Sequence, residues 1–125
     1  MKIGELARRS GFSAHTLRYY ERIGLLPRAG RSSGQRDYGA DILVWLEFIG
    51  RLKATGMPLA EMIHYAELRA SGDVAIAARR ALLVLHRARV RAHMLLLDDN
   101  LSALDKKIAG YAAQERKVKS HAKSK

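Results

Sequence analysis

The chain contains no cysteine. That absence removes disulfides, thiolate metal sites and thiol redox sensing together. Acidic side chains are also scarce: 12 Asp and Glu stand against 23 Lys and Arg, a formal net charge of +11. Such an excess points to a polyanionic partner, most often nucleic acid. No apolar run reaches the length needed to cross a bilayer. Met1-Lys2 leads straight into a helical pattern instead of a signal sequence. A membrane is therefore not an expected partner, and the cytoplasm is the expected compartment. There is no internal repeat. At 125 residues, the chain has room for one compact domain, or for a small domain plus an extended element.

What is present centres on Ser13-Ala14-His15-Thr16-Leu17-Arg18-Tyr19-Tyr20-Glu21. Ser13 is a good N-cap, because its hydroxyl accepts from an orphan N–H at a helix start. Leu17 faces inward, with Leu25 and Leu26 as apolar anchorage just beyond. The opposite face carries His15, Thr16, Arg18, Tyr19 and Arg22. A helix built only to fold has no need of two tyrosines and two arginines within so few turns. These side chains reach phosphates and base edges, and an exposed helix N-terminus favours an anion. Upstream, Ile3, Leu6 and Ala7 form an i, i+3, i+4 stripe, Gly11 allows a sharp turn and Phe12 plugs the joint. Helix, short turn, helix is the helix-turn-helix layout. A plain two-helix corner in a small α domain gives the same apolar stripe.

Gly24 ends the second helix and Pro27 stops it from resuming. Arg28 to Tyr38 then reads as a wing, with Arg31-Ser32-Ser33-Gly34 as its turn. An ordinary basic surface loop is the competing reading. A third helix is expected over Ala40 to Thr55, with Ile42, Trp45, Leu46, Ile49 and Leu52 or Lys53 at helical spacing. A fourth opens at Met57-Pro58 and runs to about Ala70, burying Leu59, Met62, Ile63, Ala66 and Leu68.

After the break at Ser71-Gly72-Asp73, Leu83, Arg87, Val90, Met94, Leu97, Leu101, Leu104, Ile108 and Tyr111 alternate spacings of four and three. That is a coiled-coil seam, interrupted once by Arg87. A small head has too little surface to cover it, so the helix needs a partner, most simply its own copy. An intramolecular bundle is the competing reading. From about Gln114 the chain is basic without an apolar face, and disorder is expected there. The expected division is 1–70 for the head, 73–112 for the long helix and 113–125 for the tail.

Ile3-Gly4-Glu5-Leu6-Ala7, then Thr16-Leu17-Arg18-Tyr19-Tyr20-Glu21 with Gly24-Leu25-Leu26, then Gly34-Gln35-Arg36-Asp37-Tyr38 resemble the MerR family of bacterial transcription regulators, in order and at the family's spacings. The resemblance implies a mainly α fold: a winged helix-turn-helix head followed by a long antiparallel coiled-coil dimerisation helix. It implies a homodimer on double-stranded promoter DNA, working with RNA polymerase; separately, no Ser/His/Asp or phosphate-loop pattern appears, so no enzyme activity is expected. By motif position, Ser13, His15, Thr16, Arg18, Tyr19 and Tyr20 carry the recognition-helix contacts. Arg31, Arg36 and Tyr38 carry the wing contacts, and Lys53 sits near a phosphate on the third helix. The dimerisation set is Leu83, Val90, Met94, Leu97, Leu101, Leu104 and Ile108. The candidate effector pocket is Trp45, Phe48, Arg51, Tyr65 and Leu68.

Two departures from better-known branches matter. Metal-sensing members use cysteines that this chain lacks, and drug-sensing members append a ligand domain where this chain has a short tail. Trp45 to Ile49, with Asp105 to Ile108 and Tyr111, look most like a subgroup linked to aldehyde or electrophile stress. Its members often carry a cysteine in the third helix, where this chain has Arg51. No cofactor is expected. His86 and His93 lie seven apart on the long helix and lack further ligands for a metal. Asp98 and Asp99 diverge around the helix axis and make no catalytic pair. The runner-up is a DNA-bending architectural or excisionase-like winged-helix protein without an inducer. A coiled-coil adaptor with a basic face toward an acidic protein is a third class.

Overall fold

In the computed structural model, residues 1–32 and 34–123 are described, apart from the side chains of Arg31, Ser32, Gln35 and Arg36. The order is α1 (Ile3–Ser10), α2 (Ala14–Arg22), β1 (Gly30–Ser32), β2 (Gln35–Asp37), α3 (Asp41–Ala54), α4 (Leu59–Ala70), one 3₁₀ turn (Gly72–Ala75) and α5 (Ile76–Lys123). The chain divides into two compact units between His86 and Arg87. The first therefore takes in the opening turns of α5 as well as the head.

Each short helix ends where its sequence dictates. Gly11 closes α1 with φ +80°, and its N–H bonds the Ala7 carbonyl. Only glycine reaches that left-handed conformation without strain. Pro58 precedes α4 with φ −59° and lends its carbonyl to the N–H groups of Glu61 and Met62. β1 and β2 form an antiparallel hairpin, with Gly30 opposite Asp37, Arg31 opposite Arg36 and Ser32 opposite Gln35.

One core holds the first unit together. Leu6 of α1, Leu17 and Tyr20 of α2, Leu25 and Leu26 of the following turn, and Ile42, Trp45, Leu46, Ile49 and Leu52 of α3 are all buried, as are Met57 and Met62. Leu52, not Lys53, takes the inward position on α3. Leu59 is a departure from expectation: at the first position of α4 it is 38% exposed, and Met57, just before Pro58, fills the core instead. Leu82 and Leu83 lie half-buried against this same core. His86 is buried, with Nε2 2.8 Å from the Thr55 hydroxyl. The Thr55 hydroxyl also lies 2.8 Å from the Arg51 carbonyl. These contacts fix the start of α5 to the end of α3.

The expectation of a separate tail from residue 113 is corrected. Helix α5 continues to Lys123. After Gly110 the residues Ala112, Ala113, Gln114, Glu115, Arg116 and Lys117 are strong helix formers, and no glycine or proline follows to stop them. Lack of an apolar face removes a reason to pack, not a reason to be helical.

Candidate nucleic-acid interface

Helix α2 presents one face to solvent. Ser13 caps it: its Oγ accepts the Thr16 N–H at 3.0 Å and its hydroxyl lies 2.9 Å from Thr16 Oγ1. The first turn contains no acidic residue, so the positive end of the helix dipole is left for an anion. His15, Arg18 and Tyr19 are exposed and Thr16 is half-buried. The Arg22 guanidinium rests 5.8 Å from the Tyr19 ring centroid, which holds both side chains on this face.

Beside it lies an open cleft of about 620 Å³ lined by Arg18, Glu21, Arg22, Gly24, Leu26, Pro27, Arg28 and Ala29. Three guanidinium groups face one carboxylate there, which suits a phosphate. Arg28 is absent from the sequence-based candidates. Its signal was readable: Arg18 and Arg22 share a helix face at i, i+4, and Pro27 turns the chain back along it.

Two candidates are not on this face. Tyr20 is 5% exposed, its ring edge-on to Phe12 at 5.6 Å, and Tyr38 is 3% exposed. The Tyr38 hydroxyl donates to Glu21 Oε2 at 2.9 Å. Both rings belong to the core. Tyr20 lies three residues after Leu17, on the same inward side of α2. Tyr38 instead braces the base of the wing against the recognition helix. Arg31 and Arg36 face each other across the hairpin backbone, and their side chains lie outside the described residues. Lys53 is exposed in the last turn of α3.

The wing base has a second anchor. The Met1 α-amino group donates to Asp37 Oδ1 at 2.9 Å and to the Tyr38 carbonyl at 2.6 Å, while the Tyr38 N–H returns a bond to the Met1 carbonyl. The hydrogen bond from this amino group, then its positive charge, holds the Asp37 carboxyl below the usual aspartate range.

The effector candidates are brought together in part. Trp45 and Tyr65 stack, with centroids 5.7 Å apart and planes 5° apart, and Phe48 tilts onto Tyr65 at 5.7 Å. The Arg69 guanidinium lies 4.6 Å from the Trp45 centroid. The indole N–H donates to the Leu25 carbonyl at 2.9 Å, linking this cluster to the exit of the recognition helix. Leu68 is half-buried. Arg51 instead stands exposed beside Glu47 at 3.5 Å.

In the second unit Met94, Leu97, Leu101, Leu104, Ile108 and Tyr111 are exposed, and Val90 is half-buried. Leu83 departs from its assignment to the dimerisation set, since it packs on the core of its own head. Among the described residues, no three His, Asp or Glu side chains converge to hold a metal ion, and no helix is long and apolar enough to cross a membrane.

A capped, basic second helix flanked by a braced hairpin defines a winged helix-turn-helix protein with a long C-terminal helix. Residues 1–68 match the MerR HTH family of regulatory proteins, and residues 43–107 match the MerR DNA-binding family. The chain belongs to the MerR family and is a DNA-binding transcriptional regulator of that type. The HTH-type transcriptional regulator AdhR of Bacillus subtilis is 40% identical over 91 residues, 72% of this chain and 65% of that protein. The crystal structure of a MerR family regulator from Listeria monocytogenes superposes with a TM-score of 0.88 at 33% identity, covering 100% of this chain and 99% of that one. That of HiNmlR, a MerR family regulator lacking the sensor domain and bound to promoter DNA, gives 0.80 at 35% identity, covering 88% of each chain.

Proposed function

We propose that the protein is a cytoplasmic homodimer that grips a pseudo-palindromic promoter site with two heads and distorts the DNA between them. Ser13, His15, Thr16, Arg18 and Tyr19 address the groove from α2. Arg31 and Arg36 on the wing, Lys53 on α3, and Arg22 with Arg28 in the cleft hold phosphates. The observation that carries this reading is the cleft of three arginines beside an exposed, capped recognition helix. The resemblance to HiNmlR, crystallised on promoter DNA, supports it.

Two heads held in one dimer engage two half-sites at once, so the DNA between them takes the shape that lets both bind. Bending or untwisting the intervening base pairs costs a few kcal/mol, which phosphate contacts offset. On a promoter with an over-long spacer this distortion realigns the two elements for RNA polymerase. The Trp45–Phe48–Tyr65 cluster is the point at which a signal acts, since Trp45 holds the exit of the recognition helix through Leu25. The test is transcription in vitro with purified protein on the natural promoter and on one whose spacer is shortened to normal length. Distortion predicts that the shortened promoter becomes independent of the protein or is inhibited by it. Undiminished activation there refutes the mechanism.

A further inference from the structure

The cleft beside the recognition helix has a neighbour. A second open cavity, of about 270 Å³, lies between the turn after α2, the base of the wing, the start of α3 and the last turn of α4. The two cavities share Pro27, Arg28 and Ala29. The contacts assigned to phosphate leave the second one unused.

Its walls bear four charges: the guanidinium groups of Arg28 and Arg69 and the carboxylates of Asp37 and Asp41. They are not equally free. Asp37 is held by the Met1 amino group at 2.9 Å. Asp41 folds its carboxylate back over Gly39, so closely that a Cβ there would meet Oδ1 at 2.6 Å. Arg69 is half-buried, and its guanidinium lies 4.6 Å from the Trp45 ring centroid. Among the described residues, neither arginine has a carboxylate within ion-pair distance, and Asp41 has no cation there. Opposite charges thus face one cavity without closing on each other. Two uncommitted guanidinium groups stand against one uncommitted carboxylate, an excess that a single monoanion neutralises.

Resting on the assignment of Arg28 to a phosphate, we infer that this cavity binds a small 2-hydroxy acid whose occupancy competes with DNA. The ligand carboxylate accepts from Arg28 and Arg69, whose planar forks match its two oxygens. The ligand hydroxyl donates to Asp41. An amino acid would add an ammonium and leave the excess positive charge in place, and a phosphate dianion would meet the Asp41 carboxylate. The volume lies below the roughly 300–1,000 Å³ of drug-sized ligand sites, so the molecule has few carbons. Arg28 carries the effect to DNA. One guanidinium does not serve a phosphate in the first cavity and a carboxylate in the second at full strength. Occupancy therefore withdraws one phosphate contact per head. By linkage, DNA weakens the ligand by the same factor as the ligand weakens DNA. Arg69, drawn toward the carboxylate, leaves the Trp45 ring, so the tryptophan reports binding.

Three-carbon acids test this in full-length protein: lactate, propionate without the hydroxyl, and alanine. Lactate should change Trp45 emission saturably in the millimolar range, with calorimetry giving the same constant. Propionate should bind about tenfold more weakly, because a hydrogen bond to a carboxylate is lost, and alanine should also bind below lactate. R69Q should lose binding, R69K should keep part of it, and D41A should bind lactate and propionate alike. Saturating lactate should lower the salt slope of promoter binding by about two, one phosphate contact per head, relative to propionate at equal ionic strength. A flat titration of wild type with lactate overturns the site. So does equal binding of lactate and propionate by wild type, tighter binding of alanine, or undiminished binding in R69Q. Lactate that binds as expected yet leaves the slope unchanged overturns the competition through Arg28. Absence of promoter binding refutes the DNA reading itself, while calorimetry still decides the cavity.

Discussion

Replacing Tyr38 with phenylalanine deletes one hydroxyl and leaves the buried ring in place. The lost bond runs to Glu21 Oε2 at 2.9 Å and is part-buried. Hydrogen bonds to charged groups contribute about 1.5–3 kcal/mol. Partial solvent access reduces this one to about 1–2 kcal/mol. For a head of this size, 1 kcal/mol moves the melting temperature by roughly 4–8 °C, so Y38F should melt about 4–16 °C lower by circular dichroism. Well below that temperature, fluorescence anisotropy should show promoter affinity down less than about threefold, with an unchanged salt slope, since no phosphate contact is lost. A variant that melts like wild type yet binds tenfold more weakly would refute the assignment. The hydroxyl would then leave Glu21 to meet DNA.

L97D or L104D should yield monomers by analytical ultracentrifugation, because each puts a charge where roughly 2–3 kcal/mol of apolar burial per chain is expected. If Arg22, Arg28, Arg31, Arg36 and Lys53 from two chains meet about ten phosphates, log affinity against log salt should slope on the order of −9. R18A should weaken specific binding far more than K123A, and equal losses would count against α2 as the reading helix. The depressed Asp37 carboxyl adds stability above the ordinary aspartate value that is lost as pH falls below about 4. The gap in melting temperature between wild type and D37N should therefore close on acidification. With no thiol in the chain, diamide should leave DNA affinity unchanged.

Most of the fold was legible because its signals are local. The Ser13 cap, the turn at Gly11 and the proline at 58 each set a boundary through backbone chemistry that a few residues determine. What a motif position does not reveal is which way a side chain faces. Tyr20 and Tyr38 sit in the motif stretches that carry the family resemblance, yet both turn inward. The i, i+3 relation of Tyr20 to Leu17 would have placed it correctly. The direction of Tyr38 follows from the wing packing against α2, a contact across 17 residues of sequence. The end of α5 shows no apolar face in the sequence, and backbone propensity alone carries the helix to Lys123. Arg28 belongs to no periodic element, and its place beside Arg18 and Arg22 follows from the turn that Pro27 makes at the end of α2.

Trp45 is the only tryptophan in the chain. The Tyr65 ring stacks on it, the Arg69 guanidinium lies 4.6 Å from its centroid, and its N–H is committed to Leu25. The protein thus carries its own optical gauge at the place where a signal and the reading helix would communicate. The sheltered indole should emit at short wavelength, with an intensity set by the Tyr65 ring and the Arg69 guanidinium beside it. DNA that tugs on Leu25 would change that emission, as would a small molecule that parts Tyr65 from the indole. Candidate inducers can therefore be screened by adding them to unlabelled protein and watching a single fluorophore.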